Sequence, residues 1–167
     1  MPDYFLFLLL LIAALSHALC HSILKYNKNP LGILGITSIF EIIIFTPLVL
    51  TVPFPTPYIW ILIITSALLH GFYRLLVIFS YNYGDLSFIY PIARGSSSLL
   101  LAIISLIYLT DKISLWGFIA IMIVCMGLFL ISYSDRLKFN YSAFGLGFLT
   151  AIMITTYTLV DGIGVRH

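Results

Sequence analysis

Six runs of about 20 apolar residues, parted by short polar gaps, dominate this 167-residue sequence. An α-helix rises about 1.5 Å per residue, so a run of that length crosses the hydrocarbon core of a bilayer. The runs fall at 4–24, 31–52, 58–81, 86–109, 113–133 and 141–160. Charged residues make up 8% of the chain and mean hydropathy is +1.14. A soluble domain carries about 25% charged residues, and this composition cannot supply a water-soluble surface. The expected fold is an all-α integral membrane protein of about six transmembrane helices, with the lipid bilayer as its first partner. A net charge of +2 gives no case for nucleic acid.

The gaps define the organisation. Lys25–Pro30 closes the first hairpin, and the proline-rich turn Pro53–Pro57 cannot be helical, because each proline biases its predecessor to extended geometry. Pro47 is expected to kink the second span. The gaps leave no room for a soluble domain, so consecutive spans are expected to run antiparallel. Orientation stays open: Lys25, Lys28, Arg136 and Lys138 fall on one side, Lys112 and Arg166 on the other. The N-terminal stretch has no basic segment and no small-residue cleavage site, which predicts a retained span. Leu19 before Cys20 argues against lipidation. Cys20 and Cys125 lie in apolar runs and read as core residues, with no case for a disulfide or zinc site.

Against this background the stretch Tyr83–Ser98, YGDLSFIYPIARGSSS, stands out. Polar groups at membrane depth are costly and mark function by default. Pro91 has no N–H, so the carbonyl of Ser87 loses its helical partner, and an interrupted fourth helix is expected beside a polar cavity. Arg94 offers a fixed positive charge suited to a carboxylate or phosphate group. The competing reading is a packing helix whose Arg94 pairs with Glu41 or Asp85. Glu41 sits deep in the second span, as a coupling residue, as a partner of Arg74 or Arg94, or as a salt bridge that fixes register. Asp3, Asp111, Asp135 and Lys138 fall at span ends and read as interfacial, and Tyr81, Tyr83, Tyr133 and Tyr141 as aromatic belts.

ALSHALCH (14–21) and ALLHGFYR (67–74) align without a gap. In each, small and basic residues recur at i, i+3, i+4 and i+7, on one helix face. His17 and His21 share the first face; His70, Gly71 and Arg74, next to Tyr73, define the second. The sixth span has a related face in Ala151, Thr155, Thr158 and Gly162, flanked by Tyr157 and Asp161. Such faces serve close helix packing or line a polar interior. The His17/His21 spacing suits a metal only with further ligands, for which Glu41 and His70 are candidates; a cavity lining or a hydrogen-bonded pair is the simpler reading. No cofactor is expected.

Taken in order, ALSHALCH, SALLHGFYRLL (66–76), YGDLSFIYPIARGSSSLL (83–100), LWGFIAIMIVCMGLFLI (115–131) and YTLVDGIGVR (157–166) resemble the EamA family of the drug/metabolite transporter superfamily. Cys20 and His21 stand where that family usually has Trp-Asn, and Thr110-Asp111 where it has Gly-Glu. The resemblance implies ten helices in two inverted five-helix repeats around a central cavity, in the cytoplasmic membrane. It implies export or proton-coupled exchange of small metabolites, amino acids or drugs by alternating access. Residues 1–133 would form one repeat, 134–140 a loop and 141–167 the first helix of a second. Transport would then require self-association or a complementary chain. The candidate cavity residues are His17, His21, Glu41, His70, Tyr73, Arg74, Tyr90, Pro91, Arg94, Tyr157 and Asp161. A non-transporting fragment or accessory subunit, and an intramembrane metal enzyme, are the alternatives.

Overall fold

A computed structural model describes residues 3–108, 114–132 and 140–166. Tyr133, Asp135, Arg136 and Lys138, and the turn at Thr110, Asp111 and Lys112, lie outside the described residues. Among the described residues there are six helices and no strands: α1 Asp3–Tyr26, α2 Pro30–Val49, α3 Pro57–Ser80, α4 Leu86–Tyr108, α5 Leu115–Ser132 and α6 Tyr141–Gly164. All six are long and apolar enough to cross a membrane, as an all-α membrane protein requires.

The chain packs as two units, 1–52 and 53–167. The first is the α1–α2 hairpin. Its turn is built by Asn27, whose side chain accepts from the Asn29 backbone N–H at 2.8 Å, and by Asn29, which caps α2 by accepting from Gly32 N–H at 3.0 Å. Pro30 then takes the first helical position, where a missing N–H costs nothing. Pro47 lies inside α2, near its end, and the helix continues to Val49. No residue of α2 is buried.

The second unit holds α3 to α6. Thr56 caps α3 and Pro57 opens it, which ends the proline turn one residue before the expected span. The organising helix is α6, which packs on both α3 and α4, while α5 packs on α4. Among the described residues, α3 and α4 touch each other little, although only the turn 81–85 joins them. Contacts set the directions. Ser66 meets Asp161 and Gly84 meets Ala143, so α3 and α6 are antiparallel. Ile92 meets Gly147 and Ser97 meets Thr155, so α4 and α6 are parallel.

The core joins Tyr73, Val77 and Tyr81 to Phe88, Ile89, Ile92 and Ala93, with Ala143 and Ile154 from α6. Small residues set the spacing at the N-terminal end of α6. A Cβ on Gly147 would come within 3.2 Å of the Ile92 side chain, and one on Gly84 within 2.9 Å of Ala143. Asn140 locks this end, accepting from the Ser142 and Ala143 N–H groups and donating to the Tyr83 carbonyl at 2.7 Å.

The fourth helix corrects one expectation. It is continuous from Leu86 to Tyr108, with Pro91 inside it and buried. Pro91 falls in the second turn and removes one backbone hydrogen bond without unwinding the helix. Neighbouring side chains instead bond to other α4 carbonyls. Ser132 donates to Phe88 at 3.3 Å, Cys125 to Gly95 at 3.3 Å and Thr155 to Ser97 at 3.3 Å. The sixth helix also runs further than its apolar run, to Gly164, which puts Asp161 on a helix instead of in a turn.

Candidate functional site

The second unit gathers polar side chains along the line where α6 meets α3 and α4. On α3, Ser66, His70, Tyr73, Val77 and Ser80 recur at helical spacing on the face turned to α6. The first two are half-buried and the last three buried. This face differs from the one expected from small residues. Gly71 is exposed, with nothing near the position its Cβ would take, and Ala67 is exposed as well. On α6 the expected face is met in part: Ala151 and Thr155 are buried, with Ile154 beside them, while Gly162 is exposed and open.

Asp161, near the end of α6, accepts a hydrogen bond from the Ser66 hydroxyl. One turn along α3, Nδ1 of His70 lies 3.0 Å from the Ser66 carbonyl oxygen and 3.3 Å from the Ser66 hydroxyl. The His70 ring lies over Tyr157, with centroids 3.9 Å apart and planes tilted by 34°. Tyr157 also meets Tyr73 at 5.6 Å between centroids. The Arg94 guanidinium reaches in from α4 and acts on the Tyr157 hydroxyl. Its carbon also stands 5.8 Å from the Tyr90 ring centroid, within cation–π range. Arg74 adds a second positive charge within electrostatic reach of Tyr73.

The sequence-predicted residues therefore separate into three sets. His70, Tyr73, Arg94, Tyr157 and Asp161 meet, with Tyr90 and Arg74 at the margin. Pro91 is buried in α4 and lines no described groove. His17, His21 and Glu41 belong to the hairpin unit. There, the His17 and His21 rings face each other at 4.9 Å, His21 is buried, and Glu41 is on an exposed part of α2. Among the described residues no three His, Cys, Asp or Glu side chains gather as a metal site would need.

Ser66 is the residue that sequence reasoning missed. Its signal was the i, i+4 step to His70, which the neighbouring Ala67 and Gly71 pattern obscured. A groove of about 410 Å³ between α3 and α6 reaches this corner, lined by Ile59, Leu62, Ser66, Val160, Asp161 and Gly164 among others. A separate cleft of about 500 Å³ lies among α4, α5 and α6, walled by Phe88, Ile92, Met122, Cys125 and Phe129. It is almost wholly apolar and carries no charged group, so the chemistry belongs to the α3/α4/α6 seam. No family model, curated protein or solved structure matches the chain.

Proposed function

We propose that the chain is a carrier of small organic solutes, built on the EamA plan and working in the cytoplasmic membrane. One observation carries this reading. Three apolar helices converge a guanidinium, a carboxylate, an imidazole and tyrosine hydroxyls on one seam. Grouping such residues within lipid-crossing helices is expensive, and transporters bear that cost where a polar solute must be held at membrane depth. Arg94 supplies a donor set for an anionic group, and the Tyr73, Tyr90 and Tyr157 rings supply flat apolar surface beside it. Alternating access requires helices that can part, and α3 and α4 are joined through α6 more than through each other.

The test is uptake into vesicles reconstituted with the chain together with any partner that copurifies with it, over a panel of small carboxylates, phosphates, amines and neutral solutes. Saturable uptake of at least one class is expected, with preference for anions. Removing a charge-assisted hydrogen bond costs about 1.5–3 kcal/mol, so Arg94→Ala should weaken apparent affinity by about tenfold or more. Uptake that never saturates, or an Arg94→Ala protein indistinguishable from the original, would remove the reading.

A further inference from the structure

The corner formed by Ser66, His70 and Asp161 carries a role that anion binding at Arg94 does not require. The Ser66 hydroxyl has one proton, and it points at the Asp161 carboxylate. The Ser66 carbonyl can only accept, so the Nδ1 atom 3.0 Å away must bear a proton and donate it. The same Nδ1–H lies 3.3 Å from Ser66 Oγ. Two titratable groups, on different helices, are thus joined through one hydroxyl, with hydrogens running His70 to Ser66 to Asp161.

We propose that Ser66 is a proton relay between His70 and Asp161, and that this corner is where proton movement couples to the solute cycle. In the transfer, the Nδ1–H bond of the His70 imidazolium breaks and a new O–H bond forms at Ser66 Oγ. The original Ser66 O–H bond breaks and its proton joins Asp161 Oδ1. Imidazolium and carboxylate become imidazole and carboxylic acid, with no other reactant. The reverse step restores the pair. Because His70 and Ser66 are on α3 and Asp161 is on α6, any parting of these helices opens the relay and traps the proton on one side of it. The groove of about 410 Å³ reaches Ser66 and Asp161, which gives the proton a way in.

Other charged and titratable groups frame the relay. From α3 come Tyr73 and Arg74, from α4 Arg94 and Tyr90, and from α6 Tyr157. The Arg94 charge acts on both Tyr157 and Tyr73, Arg74 acts on Tyr73, and Asp161 acts on Tyr157. A solute anion drawn to Arg94 therefore changes the field at Tyr157, whose ring covers His70. The purpose of the relay rests on the carrier reading, but its existence does not.

Infrared spectra of the protein in bilayers, time-resolved after a pH jump, test it without substrate. The Asp161 carboxyl band is identified by its loss in Asp161→Asn, and the His70 ring bands by their loss in His70→Gln. The groove reaches Asp161 and Ser66, so in the original protein the His70 bands should follow the Asp161 band. Ser66→Thr, which keeps a hydroxyl, should behave in the same way. In Ser66→Ala the His70 change should slow by about tenfold or more, while the Asp161 change keeps its rate. A His70 change that precedes the Asp161 change, or one that keeps its rate in Ser66→Ala, overturns the relay. A slowed His70 change in Ser66→Ala without any vesicle uptake supports the relay and removes the carrier reading. Uptake with an unslowed His70 change removes the relay and leaves the carrier.

Discussion

The two ends of α6 are built on opposite rules. At its N-terminal end, Ala143, Gly147 and Ala151 are buried, Gly147 meets Ile92 of α4, and Asn140 ties the first turn to the Tyr83 carbonyl. At its C-terminal end, Tyr157 and Asp161 are half-buried and meet α3 and α4 through rings and hydrogen bonds, beside an open groove. Helices in lipid gain little from burying apolar surface and are held by close packing. The first end maximises that contact. The second gives it up to keep polar groups reachable. A single helix thus has a fixed anchor and a working end.

Overpacking the anchor should give the largest effect. Gly147→Leu drives a side chain into Ile92 and the α4 backbone, where the nearest atom is already 3.2 Å from the position of a Cβ. Insertion into a packed site costs about 1–3 kcal/mol. The expected outcome is a clear drop in Tm in detergent micelles, and an unchanged Tm would show that the anchor is loose. Gly71 on α3 gives the contrast. Nothing lies near its Cβ position, so Gly71→Ala should stabilise by about 0.5–1 kcal/mol through helix propensity alone. A loss of stability there would mean that the small-residue face is covered after all. The smallest effect is expected between the two ends. Thr155→Val removes the bond to the Ser97 carbonyl but keeps the shape, and interhelical hydrogen bonds in membranes average about 0.6 kcal/mol. A change several times larger, by the same melt, would move part of the anchoring to Thr155.

The number of helices was legible because hydropathy over a bilayer-sized window is a strong signal, and each helix begins within two residues of its apolar run. Asp161 was harder, because Asp-Gly-Ile-Gly reads as a stop, yet α6 runs through it. His70, Tyr73, Arg94, Tyr157 and Asp161 were legible as costly residues in apolar runs. Their meeting was not, since it depends on α6 lying between α3 and α4, and no local pattern encodes which helix takes that place. Of the expected α3 face, His70 falls on the side turned to α6 while Ala67 and Gly71 stay exposed. Small residues permit close approach without requiring it, and nothing lies near the Gly71 Cβ position. His17, His21 and Glu41 carried the same signal as the seam residues, yet they belong to the hairpin unit.

The wedged position of α6 has a consequence for how the protein is made. Helices enter the membrane in the order of synthesis, and α6 is the last of the six. Until it arrives, α3 and α4 have no shared filling, and Ser66, His70 and Arg94 have no partner on α6. The polar groups that serve the finished molecule are therefore a burden on the nascent one, exposed to lipid for the time needed to make α5 and α6. The α3/α4 seam forms only when α6 packs into it, and the polar groups of α3 and α4 have to wait for that step.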